Sequence, residues 1–96
     1  SENMLLSRSE YQKYFQQVQT QSNYRVQVGV FSTYDAADTH VKKLKETFLE
    51  PIMVISEVRN NETLFKVRIG QFESYDEADG FRLILMNDYK MQGIVQ

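Results

Sequence analysis

The sequence predicts a single α+β domain with the element order βαββαβ, in which two helices cover one face of a four-stranded antiparallel sheet. Two observations support this prediction. The chain contains an internal repeat, and each half of the repeat begins with a strand pattern and continues with a helix pattern. The length of 96 residues suits one small domain, because independent domains usually need about 50 residues or more.

The repeat aligns residues 24–54 with residues 65–95 without gaps, at an offset of 41 positions. The identical pairs are Val26/Val67, Gly29/Gly70, Phe31/Phe72, Tyr34/Tyr75, Asp35/Asp76, Ala37/Ala78, Asp38/Asp79, Leu44/Leu85 and Val54/Val95. Two copies are too few for a solenoid. The repeat therefore predicts one domain built from two equivalent halves.

Each half starts as a strand with one apolar side. In the first half Tyr24, Val26, Val28 and Val30 alternate with Arg25, Gln27 and Gly29. In the second half Phe65, Val67 and Ile69 alternate with Lys66, Arg68 and Gly70. A period of two with one apolar side predicts a strand that has one face on the core and the other in solvent.

A helix follows each of these strands. Thr33 and Ser74 are the predicted N-caps, and Glu77 completes a capping box in the second half. The predicted buried stripes are Ala37, Val41, Leu44 and Phe48 in the first helix, and Ala78, Phe81, Leu85 and Tyr89 in the second. Pro51 and Gly93 are the predicted stop signals of the two helices.

Further strands are predicted over residues 52–58, over residues 63–70 and from Ile94 to the end, with Asn60-Asn61 as a hairpin turn. Residues 1–23 are predicted to form a separate N-terminal helix and linker ahead of the domain at 24–96. The helix is predicted over Arg8–Gln19, with Tyr11, Phe15 and Val18 on one stripe. Two alternatives stay open for it: it docks on the domain, or it is the end of a tether.

Composition excludes several classes of function. Eleven Lys and Arg residues against 13 Asp and Glu residues give a net charge of −2, which favours neither nucleic acid nor an anionic membrane as partner. The absence of cysteine excludes disulfides, thiolate zinc sites and cysteine nucleophiles. No apolar run reaches the roughly 20 residues of a membrane-spanning helix, so direct membrane insertion of this segment is not expected.

The sequence predicts neither an enzyme nor a metal or cofactor site. The single histidine, His40, is predicted on the exposed flank of the first helix beside Lys42 and Lys43, with no catalytic or metal-ligating arrangement near it. The carboxylates at the two helix starts are explained by capping and by the helix dipole.

The solvent face of the sheet is the candidate functional surface. If the valines of the first strand face the helices, the side chains that face solvent are Arg25, Gln27, Lys66 and Arg68. Amide and cationic donors on a flat face suit a hydroxyl-rich or acidic ligand. RNA-recognition domains share the βαββαβ order, but Phe65 belongs to the buried phase here and their aromatic signature is missing, so nucleic acid is not expected.

Two strand–helix segments, one in each half, carry a resemblance to a known family. VQVGVF at 26–31 is followed by YDAAD at 34–38, and FKVRIGQF at 65–72 leads to Glu77-Ala78. Over residues 24–96 the chain resembles the SPOR (sporulation-related repeat) domain family. The resemblance implies a ferredoxin-like (RNP-like) fold and non-catalytic binding of bacterial peptidoglycan, especially glycan strands denuded of their stem peptides. It also implies a periplasmic or cell-envelope location within a larger anchored or secreted protein.

The resemblance places the binding surface on the exposed sheet and implies roles for Gln27 and Lys66. Arg25 and Arg68 share this face by alternation. One alternative stays open, a small-molecule-sensing or dimerising regulatory module of the same ferredoxin-like class, because fold does not dictate function. A stable dimer with no affinity for peptidoglycan sacculi would favour that alternative.

Overall fold

The computed structural model describes residues 23–96, which form the predicted α+β domain. The strands are β1 (Tyr24–Phe31), β2 (Ile52–Arg59), β3 (Glu62–Phe72) and β4 (Ile94–Val95), and the helices are α1 (Tyr34–Lys45) and α2 (Tyr75–Tyr89). The strands form one antiparallel sheet in the order β2-β3-β1-β4. The predicted element order is confirmed, whereas the predicted helix at Arg8–Gln19 lies outside the described residues.

The core lies between one face of the sheet and the two helices. The buried residues from the sheet are Val26, Val28, Val67 and Ile69, and those from the helical layer are Ala37, Val41, Leu44, Phe48, Ala78 and Leu85. The first predicted helical stripe is completely buried, but Tyr89 of the second is 46% exposed. One sheet face is therefore covered and the other is left to solvent, as an antiparallel sheet allows.

The two halves are related by an approximate twofold axis that passes between β1 and β3. Gln27 pairs with Arg68 across these strands, and the two residues are equivalent in the repeat. On their outer sides, Gln27 pairs with Ile94 of β4 and Arg68 pairs with Met53 of β2, which are again equivalent. The sequence repeat is thus also a symmetry of the sheet.

Each half contains a β-bulge near the same position of the repeat, at Val28–Gly29 in β1 and at Gly70–Gln71 in β3. A bulge places two successive residues on one side of the sheet, so the residues after it change face. Val30 pairs with Lys66 and is 48% exposed, which puts it on the solvent face. Its predicted place on the core side is wrong, because strict alternation does not allow for the extra residue.

Both predicted helix starts are confirmed. The Thr33 hydroxyl accepts a hydrogen bond from the Ala36 N–H at 3.2 Å, and the Ser74 hydroxyl accepts one from the Glu77 N–H at 3.1 Å. The Glu77 carboxylate accepts from the N–H of Glu73, one residue before the cap, at 3.2 Å. These bonds satisfy backbone donors that the first turn of a helix leaves unpaired.

The predicted helix ends are wrong in both halves. Helix α1 ends at Lys45, well before Pro51, and Phe48 reaches the core from the loop that follows. Helix α2 ends where Lys90 adopts a left-handed conformation with φ 57° and ψ 32°. Gly93 instead allows β4 to approach β1, because a Cβ there would lie 2.5 Å from Val26 Cγ1.

The hairpin between β2 and β3 has the predicted turn. Asn60 and Asn61 have φ angles of 52° and 64°, and the flanking residues Arg59 and Glu62 pair with each other. Two successive left-handed residues form the tight turn whose twist matches that of the strands, and asparagine tolerates this conformation well.

His40 is partly buried, so its prediction as an exposed residue is wrong. Its ring lies against Phe31 with the centroids 5.4 Å apart, and its Nε2 is buried without a hydrogen-bond partner among residues 23–96. The equivalent residue in the second half, Phe81, makes the same contact with Phe72 at 5.2 Å. This helix position therefore serves to cover the phenylalanine at the end of the strand in both halves.

We expect His40→Phe to raise the free energy of unfolding by about 1–2 kcal/mol, because it removes an unpaired buried nitrogen and keeps a ring against Phe31. Urea unfolding of the 96-residue chain measures the change. The reciprocal variant Phe81→His should be destabilised. A His40→Phe chain that is no more stable than the parent would contradict this role of the position.

Candidate functional site

The solvent face of the sheet, called here the open face, has three rows of side chains that run across the strands. The central row is Met53, Arg68, Gln27 and Ile94. A second row contains Ile55, Lys66 and Val30. In the third row Arg25 lies between Gln96 of the C-terminal segment and the bulge that contains Gln71. The second and third rows lie at opposite ends of the open face and are equivalent in the repeat. Their side chains can therefore be compared position by position.

The centre of the open face is a pair of hydrogen-bonded side chains. Gln27 Oε1 accepts a hydrogen bond from Arg68 Nε at 3.2 Å, and both side chains are partly buried. This bond uses Arg68 Nε, so the two terminal nitrogens of the guanidinium and the Gln27 amide NH₂ keep their donors free of other side-chain hydrogen bonds within residues 23–96. The middle of the sheet therefore presents ordered donors on the twofold axis.

At one end of the open face the positive charge is neutralised. Lys66 Nζ forms an ion pair with Glu57, and the Lys66 side chain is only 16% exposed. The hydrogen bond from Lys66 lowers the pKa of the Glu57 carboxyl, which is therefore ionised at neutral pH. The neighbours of Lys66 in its row, Ile55 and Val30, are apolar. This end is apolar in character and nearly neutral.

The other end of the open face is polar and cationic. Arg25 makes no ion pair within residues 23–96, and its neighbours Gln71 and Gln96 both carry amides. The Gln71 amide donates to Asn23 Oδ1 at 3.3 Å. Arg25 and Arg68 thus carry the positive charge of the face, whereas the Lys66 charge is matched by Glu57.

A cleft opens beside the central row because β4 is only two residues long. It has a volume of about 280 Å³ and is lined by residues 27–30 of β1 and residues 92–94. Beyond Gln27, β1 has no strand partner on this side, so part of its backbone N–H and C=O groups face the cleft. A ligand on the open face can therefore also reach backbone donors and acceptors.

All four residues predicted from the sequence, Arg25, Gln27, Lys66 and Arg68, lie on the open face. The structure joins Gln27 to Arg68, but it pairs Lys66 with Glu57, a residue that sequence reasoning missed. Val30 and Gln71 were missed as well. The signal for both was present, since a glycine inside a strand often marks a bulge.

The described part of the chain has no features of a metal or membrane site. Residues 23–96 contain no group of three or more His, Asp or Glu side chains that could hold a metal ion. Within the same range, neither helix is long and apolar enough to cross a membrane.

Comparisons with known proteins agree with the fold, which is that of a small α+β module. The family model described as SPOR domain matches residues 7–55 and residues 20–95. The crystal structure of the RlpA SPOR domain from Pseudomonas aeruginosa is similar, with 30% sequence identity, a TM-score of 0.64, and coverage of 76% of this chain and 96% of that one. No curated protein matches the sequence.

This chain belongs to the SPOR domain family, as its sequence resemblance predicts. Members of this family are non-catalytic binding modules with a ferredoxin-like fold. The two family matches overlap, as expected for a chain whose halves repeat one another.

Proposed function

We propose that this domain binds bacterial peptidoglycan through its open face and recognises glycan strands that have lost their stem peptides. The observation that carries the proposal is the ordered Gln27–Arg68 pair at the centre of a solvent-facing sheet in a SPOR-family fold. The proposed role is binding without catalysis, within a larger anchored or secreted protein of the cell envelope.

The chemistry of the central row suits a glycan. Sugar hydroxyls and N-acetyl groups both donate and accept hydrogen bonds, and the Gln27 amide with the Arg68 guanidinium supplies such groups on one flat surface. The cleft beside β4 adds backbone groups. Met53 and Ile94, at the two edges of the central row, give apolar contact to the sugar rings.

The charge distribution supports one direction for the bound strand. Removal of a stem peptide leaves a lactyl carboxylate on the glycan, and a carboxylate binds best to a cation that has no other anionic partner. Arg25 meets this condition within residues 23–96, whereas Lys66 already pairs with Glu57. We therefore assign carboxylate recognition to the Arg25 end and contact with N-acetyl methyl groups to the end with Ile55 and Val30.

Co-sedimentation with purified sacculi tests the proposed function. The 96-residue chain should be retained by sacculi, and retention should increase after an amidase removes the stem peptides. Gln27→Ala should weaken binding by roughly 2–10-fold, because a hydrogen bond to a neutral partner contributes about 0.5–1.5 kcal/mol. The control is Lys45→Ala, which removes an exposed charge from α1 on the other side of the sheet and should bind like the parent.

Two outcomes would contradict the proposal. Equal retention of Gln27→Ala and parent would show that the open face is not the binding surface. No retention of the parent, together with a stable dimer in sedimentation equilibrium, would favour the regulatory module instead.

A further inference from the structure

The outer surface of α2 is apolar where that of α1 is charged. Three lysines of α1 face solvent, and their repeat equivalents in α2 are large aliphatic residues. The pairs are Lys42/Leu83, Lys43/Ile84 and Lys45/Met86. The aliphatic side chains are 43%, 48% and 37% exposed. Because α1 covers the same sheet with lysines at these positions, the aliphatic residues of α2 are not needed to form the core.

Of these three residues, Ile84 also lines a cleft at the end of the helical layer. The cleft has a volume of about 350 Å³ and is lined by Phe48, Leu49, Ile84 and Tyr89, among others. Leu49 is fully exposed and Tyr89 is 46% exposed. We call Leu49, Leu83, Ile84, Met86 and Tyr89 the α2 patch. A cluster of exposed apolar side chains of this kind marks an interaction surface.

We propose that the α2 patch is the docking site of residues 8–19 of the same chain. The sequence of this segment predicts an amphipathic helix with Tyr11, Phe15 and Val18 on one stripe. A single apolar stripe on a helix needs a partner surface, because an isolated helix of about 12 residues is only marginally stable in water. The α2 patch supplies such a surface on the same molecule.

The point where the segment joins the domain favours this occupant. The ring of Tyr24, at the start of β1, lies against the ring of Tyr75, the first residue of α2, with the centroids 6.4 Å apart. Ile84 lies nine residues further along α2, which is about 14 Å at 1.5 Å per residue. The four residues 19–22 span about 13 Å when extended, so Val18 can reach the middle of α2.

The α2 patch and the proposed glycan-binding surface are on different sides of the domain. The α2 patch lies on the helical layer, whereas Arg25, Gln27 and Arg68 lie on the opposite side of the sheet. Docking of the segment therefore leaves the open face accessible, and changes in the α2 patch should not alter glycan binding.

Paramagnetic relaxation in the full chain tests the proposal. The chain has no cysteine, so Asn87→Cys introduces a unique site for a nitroxide next to Met86. We expect the label to broaden the amide signals of residues 8–19. Adding Leu83→Lys, Ile84→Lys and Met86→Lys, which copies the surface of α1, should reduce the ratio of docked to undocked segment by about tenfold or more. The signals of residues 24–96 report whether this variant keeps its fold.

A nitroxide at Glu46→Cys is the matched control, since Glu46 is the repeat equivalent of Asn87, and it should leave residues 8–19 much sharper. Sharp signals for these residues with the Asn87→Cys label would overturn the proposal. Broadening that appears only when isotope-labelled chains are mixed with spin-labelled ones would also overturn it, because the occupant would then be a second copy.

Discussion

Arg25→Ala is expected to weaken binding to denuded sacculi by roughly 10–100-fold, because a hydrogen bond to a charged group contributes about 1.5–3 kcal/mol. Arg25 makes no ion pair within residues 23–96, so its charge is available to a ligand carboxylate. The variant should also show a weaker dependence of binding on salt, since screening acts on the lost contact. Co-sedimentation at several salt concentrations measures both effects.

Lys66→Ala is the matched control, since Lys66 is the repeat equivalent of Arg25. Its charge is already matched by Glu57, so its loss should weaken binding by no more than about 3-fold. Glu57→Gln should have the opposite effect, because it releases Lys66 and makes binding tighter and more dependent on salt. An Arg25→Ala chain that binds better than Lys66→Ala would contradict the assigned direction of the glycan strand.

Gly70→Ala should lower the free energy of unfolding by about 2–5 kcal/mol, the sum of a left-handed backbone cost of about 1–2 kcal/mol and an overpacking cost of about 1–3 kcal/mol. Gly70 has a φ of 98°, and an added Cβ would collide with the ring of Phe72. For a domain of this size the midpoint of thermal unfolding should fall by roughly 10–30 °C, which circular dichroism can follow.

Two other glycines provide the comparison. Gly29, the repeat equivalent of Gly70, would place a Cβ 2.7 Å from the ring of Phe31 without an unusual φ, so Gly29→Ala should cost less. Gly80 lies in α2 with nothing within 4 Å of an added Cβ, and Gly80→Ala should stabilise the helix by about 0.5–1 kcal/mol. If all three variants had the same stability, the strain assigned to Gly70 would be wrong.

The element order could be predicted from the sequence because each half contains its own strand pattern followed by its own helix pattern. The N-caps at Thr33 and Ser74 and the turn at Asn60-Asn61 depend on neighbouring residues, and the structure confirms all three. The repeat then strengthens each prediction, since the same strand and helix pattern occurs twice. Local chemistry and the repeat were therefore sufficient for the architecture.

The errors concern positions where contacts between distant residues decide the outcome. The bulge before Val30 depends on the register between β1 and β3, which alternation within one strand does not contain. Gly93 lies where β4 approaches β1 closely, a contact between distant residues, and α2 ends earlier, at Lys90. The contact of His40 with Phe31 is not indicated by the polar neighbours of His40 along α1, but it is indicated by the equivalence of His40 to Phe81, which contacts Phe72.

The shared face of the four candidate residues was predicted, but their electrostatics was not. Alternation placed Arg25, Gln27, Lys66 and Arg68 on one face, and the structure agrees. The ion pair between Lys66 and Glu57 joins two strands of the hairpin, and it depends on the register that the turn imposes. Sequence patterns identify which charges share a face, whereas register determines which of them are neutralised.

The pairing of β1 with the C-terminal segment has a mechanical consequence. Arg25 and Gln96 exchange both backbone hydrogen bonds, at 3.2 and 2.7 Å, so β1 is held by β4 on one side and by β3 on the other. Tension that enters through residue 23 along the strand loads both sets of bonds in shear. This loading is shear because the hydrogen bonds of an antiparallel pair are perpendicular to the strands. The strand that contains Arg25 and Gln27 is thus anchored on both sides against a pull along its own axis.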